Sequence, residues 1–448
     1  MAERKIVKIT GDVPGPKSRQ LYSEMEQNVP RGAAHMTPIA ISSAKGATIT
    51  DVDGNTYIDF ASGIGVLNVG HRPDEIVKVI KEQADKYLHA CFHVTFYESY
   101  IRLANKLNTI TPGQFPKKTI LLNSGAEAVE NAIKIAKYHT KRYGILSFLE
   151  GFHGRTAAAM SLTGQIQPYK YNFGPPMPWI YHLPFAYCYR CPFGQTYPGC
   201  ELACAKYVEQ VFGSVISPDA IAALIVEPVQ GEGGFIVPPK EFLPELYQIC
   251  KAKGIIFIDD EVQTGIARTG KLFAIEHSSI EPDLITTAKS VGGGMVLSAV
   301  TGKAEIMDAP HVGGLGGTYA GHPLSCEAAL VALDLVEKKN LIARANAIGD
   351  KVKQAFYAMQ ERYPIIGDVR GLGAMVAIEL VKDRKTKEPA RQESALVRQK
   401  CYQNGLIALG AGIHHNVVRT LMPLVITDEE LEEGLSILDE AFKSTPIQ

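Results

Sequence analysis

Ile255-Ile256-Phe257-Ile258-Asp259-Asp260-Glu261-Val262-Gln263 is a short apolar run that stops abruptly at three carboxylates. Buried strands of parallel sheets read this way, and ligands bind in the crevice beyond their carboxyl ends. A second such stop lies 29 positions on from Asp260, where Leu284-Ile285-Thr286-Thr287-Ala288 leads into Lys289. Two strand ends that deliver a carboxylate and a lysine to one crevice suit pyridoxal 5′-phosphate. The lysine holds the cofactor aldehyde covalently, and the carboxylate keeps the pyridine nitrogen protonated so that the ring can accept electrons. Taken singly, Lys289 reads as an exposed lysine and Asp260 as an ordinary strand-end residue; the pair carries the reading.

The flanking pattern agrees. From about residue 72, strands and helices alternate. Pro73 opens a helix with Ile76, Val79, Ile80 and Tyr87 at helical spacing. Residues 119–123 form a strand feeding straight into a helix, and further strands are expected at 221–226 and 296–301. This predicts an α/β fold with a mostly parallel sheet covered on both faces. Before it, residues 1–40 read as a wrapping arm, and Asp51-Val52-Asp53-Gly54-Asn55-Thr56-Tyr57-Ile58 as a hairpin. After residue 325, a long Ala- and Leu-rich helix leads to strand-like pieces at 373–380, 405–409 and 417–421. An acidic-starting helix follows from Asp428. The expected division is 1–70 as arm and hairpin belonging with a small domain, 71–325 as the large cofactor-binding domain, and 326–448 as the α+β small domain.

Composition narrows the function classes. A chain of 448 residues is long enough for two domains, and 46% hydrophobic with 21% charged residues is the content of a soluble globular protein. A formal net charge of −1 supplies no global field for nucleic acid or an anionic membrane. No apolar run approaches the roughly 18 residues of a membrane span, and Met1-Ala2-Glu3-Arg4-Lys5 does not open a secretory signal. A cytoplasmic protein with small-molecule partners, and neither nucleic acid nor membrane, is expected.

Eight cysteines are too few for a secreted disulfide scaffold of this length. Four cluster as Cys188, Cys191, Cys200 and Cys204, in a loop marked by Pro184, Pro192, Gly194, Pro198 and Gly199. That spacing is open to two readings: a structural zinc or iron–sulfur site, or reduced thiols packed under a long insertion. No metal is assigned to the site.

A phosphate is expected where the strand ending at Asn123 becomes a helix. Ser124-Gly125-Ala126-Glu127 has the capping-box pattern, and its small-residue turn leaves the Gly125 and Ala126 amides open to an anion at a helix N-terminus.

Further runs carry a resemblance: Asn123-Ser124-Gly125-Ala126-Glu127-Ala128-Val129-Glu130-Asn131, Phe152-His153-Gly154-Arg155-Thr156 and Glu227-Pro228-Val229-Gln230-Gly231-Glu232-Gly233-Gly234. Asp260-Glu261-Val262-Gln263-Thr264-Gly265, Gly316-Gly317-Thr318-Tyr319-Ala320-Gly321-His322-Pro323 and Gly367-Asp368-Val369-Arg370-Gly371-Leu372-Gly373 complete the ordered set. With these the chain resembles the class III (subgroup II) aminotransferases of PLP fold type I, and within them the bacterial 4-aminobutyrate group.

The resemblance implies roles. Lys289 would carry the cofactor and shuttle the proton, and Asp260 would pair with the pyridine nitrogen. Gly125 and Ala126 would hold the phosphate, joined by Thr318 from the partner subunit of a homodimer or dimer of dimers. Phe152 and Val262 would take the two ring faces, and Gln263 the ring hydroxyl. Arg155 would bind the distal carboxylate of the substrate and Arg419 the α-carboxylate, with Glu227 covering Arg419 when the substrate lacks one. Ile64 would offer an apolar wall to a bare methylene chain, where ornithine aminotransferases carry a tyrosine.

The implied reaction is transamination of 4-aminobutyrate, or a similar ω-amino acid, with 2-oxoglutarate. Ornithine- or acetylornithine-type aminotransferases and an amino-acid racemase or epimerase of the same fold are the alternatives. Two positions depart from the family pattern: His322 stands where Asn is common, and Ala267 where Gly is frequent.

Overall fold

The computed structural model describes residues 4–446. By contacts the chain forms two units. One comprises Asp74–Ile342; the other joins the described residues up to Pro73 with those from Ala343 onward.

The larger unit is built on seven strands: β1 (Lys117–Leu122), β2 (Gly144–Phe148), β3 (Ile180–Leu183), β4 (Ile221–Val226), β5 (Ile256–Asp260), β6 (Leu284–Thr287) and β7 (Ser298–Lys303). Their order across the sheet is β1-β7-β6-β5-β4-β2-β3. From β6 to β3 the pairings are parallel, whereas β7 is antiparallel to both β6 and β1. Two reversals cancel, so β1 points the same way as the others and six strands end at one edge. β4 and β5 are buried throughout, which is why they read as unbroken apolar runs rather than alternating ones. The Gly125–Thr140 helix packs Val129, Ala132, Ile133 and Ala136 into a core shared with Ile145, Ala223, Ile225 and Ile258.

The helix expected from Pro73 runs Asp74–Ala84, so Tyr87 lies beyond its end and meets Tyr97 edge-on at 6.2 Å. The Ala- and Leu-rich Pro323–Lys338 helix packs on Asp74–Ala84 and Glu98–Ile110 and belongs with this unit.

In the smaller unit, Thr48–Asp51 and Thr56–Asp59 form the expected hairpin, with Gly54 at φ 88°. The Asp51 carboxylate pins the turn by accepting from the amides of Asp53 (2.9 Å) and Asn55 (2.8 Å) and from the Tyr57 hydroxyl (2.7 Å). A second, antiparallel sheet has the order Ile366–Leu372, Met375–Leu380, Val417–Thr420, Leu409–Ala411. The arm read over residues 1–40 contains a helix, Pro16–Asn28. Only Ser18 of it is buried, so no apolar stripe announces it in the sequence. Its first turn is held instead by Asp53, whose carboxylate accepts from the Lys17 and Ser18 amides at 2.8 and 2.9 Å. Among the described residues no helix is long and apolar enough to cross a membrane.

Candidate active site

Asp260 is the last residue of β5 and is buried. Its carboxylate accepts from Thr286 Oγ1 of β6 (3.1 Å) and from the Val262 amide (3.2 Å), and lies 2.6 Å from Nδ1 of His153, in the loop after β2. His153 is buried and donates its amide to Thr163 Oγ1 at 3.1 Å. Burial by itself lowers the His153 pKa, but the hydrogen bond and charge of Asp260 outweigh it and raise it. Successive residues of an extended chain alternate between faces, so Asp259 and Glu261 lie beside one another. Burial, then the charge of Glu261, pushes Asp259 well above the usual carboxylate range, and burial pushes Glu261 up to about 7. Glu261 accepts from the Ile275 amide at 2.8 Å and from the Thr264 hydroxyl.

Lys289 leaves β6 at φ 47°, in a short turn, Lys289–Gly292. A left-handed residue with a Cβ costs about 1–2 kcal/mol, and strain of this kind gathers at functional sites.

The capping box is present. The Glu127 amide donates to Ser124 Oγ at 3.2 Å, and the Glu127 carboxylate accepts from the Asn123 and Ser124 amides at 2.7 and 3.2 Å. Gly125 and Ala126 therefore open a helix whose first amides have no intrahelical acceptor. A Cβ added at Gly125 would fall 2.9 Å from Val262 Cγ1 and 3.6 Å from Ala288 Cβ. The ends of β1, β5 and β6 thus meet within a few ångströms, beside Lys289.

The remaining candidates of the larger unit have distinct surroundings. The Phe152 amide donates to Glu227 Oε1 (2.8 Å), and the Gly231 amide to Glu227 Oε2 (2.9 Å), so both carboxylate oxygens are pinned at the end of β4. Burial pushes the Glu227 pKa up to about 7; His153 opposes the rise and Asp260 adds to it. Gln263 is buried, with Nε2 3.5 Å from Glu232 Oε1 and Oε1 lacking a hydrogen-bond partner among the described residues. Arg155 is exposed, with its guanidinium 4.6 Å from the centre of the Tyr169 ring. Thr318 lies in an exposed loop, and a Cβ on its neighbour Gly317 would come 3.9 Å from Asn123 Nδ2.

Ile64 and Arg419 both belong to the smaller unit. Arg419 is wholly buried in Val417–Thr420. Ile64 is 39% exposed at φ 64°, preceded by Ser62 at φ 41° and Gly63 at φ 62°. The Ser62 hydroxyl donates to the Leu421 carbonyl, and the Leu421 amide to the Phe60 carbonyl at 2.7 Å, stitching this strained turn to the end of the Arg419 strand.

The sequence reading passed over His153 and Thr286. His153 belongs to the run Phe152-His153-Gly154-Arg155-Thr156, but its partner is 107 residues away and only strand pairing brings them together.

All eight cysteines are free thiols. Burial first, and then neighbouring thiols, pushes up Cys188, which senses Cys200 and Cys191, and Cys204, to about 11, which senses Cys188 and Cys200. Among the described residues no three His, Cys, Asp or Glu side chains are arranged to hold a metal ion.

The groups at the sheet edge suit a phosphorylated aromatic aldehyde. They offer a lysine for the aldehyde, a counter-charged carboxylate, a helix N-terminus for the phosphate, and a buried acceptor on Gln263 still lacking a donor. A bulkier residue than Gly125 would press on Val262 and crowd this turn.

Residues 29–442 match the aminotransferase class-III family. A Bacillus subtilis protein named probable 4-aminobutyrate aminotransferase is 47% identical over 95% of this chain and 98% of its own length. A Pseudomonas aeruginosa 5-aminovalerate aminotransferase is 45% identical, with the same coverage of 95% and 98%. Among solved structures, a Bacillus anthracis aminotransferase aligns with a TM-score of 0.88 at 31% identity, over 95% of this chain and 98% of that one.

Proposed function

The chain belongs to the class-III aminotransferases, and we propose that it transfers the amino group of 4-aminobutyrate, or a closely similar ω-amino acid, to 2-oxoglutarate, yielding succinate semialdehyde and glutamate. The reading includes pyridoxal 5′-phosphate as cofactor, a cytoplasmic location, and a homodimer or dimer of dimers in which Thr318 of one protomer serves the site of its neighbour. What supports the chemistry is the meeting of Gly125, Val262 and Ala288 beside Lys289, with the His153–Asp260 pair next to it. What supports the substrate is the 47% identity to the Bacillus subtilis protein.

Pyridoxal 5′-phosphate, when bound, supplies the electron sink for the pair left as the amine-bearing carbon is deprotonated. Lys289 Nζ moves that proton on and off the carbon. Asp260, held by His153 and Thr286, would be the carboxylate that pairs with the pyridine nitrogen. Gly125 and Ala126 would hold the phosphate, Phe152 and Val262 would flank the ring, and Gln263 would serve the ring hydroxyl. Arg155 binds the carboxylate of the ω-amino acid. Arg419 is assigned to the α-carboxylate of 2-oxoglutarate, which its two-pronged fork suits. Ile64 lines the methylene chain.

A second reading, 5-aminovalerate as the preferred donor, is favoured by the 45% identity to the Pseudomonas protein. Single-turnover absorbance of the yellow holoenzyme separates the readings, with 4-aminobutyrate, 5-aminovalerate, ornithine and N-acetylornithine mixed in separately. Fastest bleaching by 4-aminobutyrate, reversed by 2-oxoglutarate, is expected. No bleaching by 4-aminobutyrate, with conversion by another amine, overturns the substrate. Failure of 2-oxoglutarate to restore the colour overturns it as the acceptor, whereas a racemase or epimerase would leave the cofactor in its aldehyde form, with no bleaching by any of these amines.

A further inference from the structure

The loop between the Ala157–Leu162 helix and β3 returns over the segment carrying Phe152 and Arg155, and one residue of it touches both. The Tyr169 ring lies 4.8 Å from the Phe152 ring, tilted by 57°, and the Arg155 guanidinium stands 4.6 Å from the centre of that same tyrosine ring. The start of the loop is tied to the same backbone. Gly164 donates its amide to the Gly151 carbonyl at 2.7 Å, and Gln165 Nε2 donates to the Glu150 carbonyl at 3.1 Å. A Cβ on Gly164 would fall 2.3 Å from the Phe148 carbonyl oxygen, so only glycine lets the loop lie this close. Past Tyr169, the Lys170 and Tyr171 amides both return to the Ile166 carbonyl, at 2.7 and 3.2 Å, closing a turn around the ring's attachment point. Tyr169 is partly buried while Arg155 is exposed.

An exposed arginine samples many rotamers and must give them up to grip a carboxylate. An aromatic face within about 6 Å attracts the guanidinium and pre-selects one region of that space. Resting on the assignment of Arg155 as anchor for the ω-amino acid carboxylate, we propose that Tyr169 is a positioning residue. It fixes the Arg155 guanidinium relative to Phe152, and so sets carboxylate affinity and discrimination between substrates differing by one methylene. A fixed anchor measures the distance from carboxylate to amine; a loose one follows either length.

The test uses the holoenzyme with Tyr169→Leu, Tyr169→Phe and Arg155→Ala. Steady-state kinetics with 4-aminobutyrate and 5-aminovalerate are paired with calorimetric titration of butyrate, which carries the carboxylate and no amine. Tyr169→Leu is expected to raise the 4-aminobutyrate KM about fivefold with kcat held within about twofold, to weaken butyrate binding by a similar factor, and to narrow the preference between the two chain lengths. Tyr169→Phe keeps the aromatic face and should stay within about twofold of the parent. Unchanged cofactor absorbance and melting temperature establish that each variant is folded. Unchanged KM and butyrate affinity in Tyr169→Leu, while Arg155→Ala loses both, overturns the inference and leaves the anchor standing. Equal losses in Tyr169→Phe and Tyr169→Leu also overturn it, because the hydroxyl rather than the ring face would then matter. Unchanged butyrate affinity in Arg155→Ala overturns the anchor and the inference together. A parent enzyme inert toward 4-aminobutyrate defeats the functional reading alone, since butyrate titration of Tyr169→Leu still decides the role of Tyr169.

Discussion

His153 and Asp260, 107 residues apart in the chain, share a 2.6 Å hydrogen bond between Nδ1 and Oδ2, and both side chains are almost wholly shut off from solvent. A charge-assisted bond of this kind in a buried setting is worth about 1.5–3 kcal/mol. Its removal should be felt where the Asp260 charge is needed. His153→Gln is expected to lower kcat about 10- to 100-fold with a smaller effect on KM. Unaltered kcat would show that Asp260 needs no partner. The pair also has a pH consequence. The folded pKa of His153 is raised, so the stability it contributes is complete below its ordinary value near 6.5 and is lost as pH rises through the folded value. Melting curves of parent and His153→Gln should converge as pH rises through that window.

Glu227 offers a second pH test. Its folded pKa is raised from an ordinary 4.5 to about 7, so the folded state keeps a proton that the unfolded chain has already lost. Stability therefore falls between these two values and levels off above the higher one. Glu227→Gln lacks this decline. The parent should lose on the order of 3 kcal/mol relative to Glu227→Gln between pH 4.5 and 7.5, followed by urea unfolding. Parallel curves would mean that Glu227 ionises normally in the fold.

Lys289→Ala should lose about 10⁴-fold or more in transamination, since it removes both the covalent attachment and the proton carrier. Borohydride reduction followed by peptide mass measurement should add the cofactor mass to the Lys289 peptide of the parent, and to no peptide of the variant. Labelling of a different lysine would overturn the assignment.

Gly125→Ala would set a methyl 2.9 Å from Val262 Cγ1. The backbone at Gly125 is helical, so the helix itself can form; the added carbon presses on Val262. The overpacking should cost about 1–3 kcal/mol and, because Val262 is the proposed ring face, weaken cofactor retention by a matching factor in dialysis. A variant that holds cofactor as tightly as the parent would remove Val262 from the ring.

Much of this was readable in the chain, and the gaps have physical causes. β4 and β5 are buried on both faces, so their runs stand out, and Asp260 and Lys289 follow from where the apolar residues stop. The capping box is local chemistry and is fully legible at Ser124 and Glu127. Pairing across the chain is not. Nothing in Phe152-His153-Gly154 says that His153 will meet Asp260, and nothing in Asp259-Asp260-Glu261 says that the outer two will share a buried face while the middle one meets a histidine. The helix Pro16–Asn28 was hidden for another reason. It is exposed nearly throughout, so it carries no periodic apolar signal, and its N-terminal partner is Asp53, far along the chain. Ala267 was noted only as an unusual residue; it sits at φ 72°, where a glycine would rest without strain.

The lone antiparallel strand, β7, has a consequence for the shape of the crevice floor. Because it runs against its neighbours, its exit loop leaves from the far edge of the sheet and only its beginning, Ser298, stands at the working edge. Ser298 Oγ donates to the Ser124 carbonyl at 2.7 Å, propping up the turn that passes above it. The connection from β6 to β7, residues 288–297, therefore turns back at the working edge itself, and it begins at Ala288, whose Cβ lies 3.6 Å from a Cβ built on Gly125.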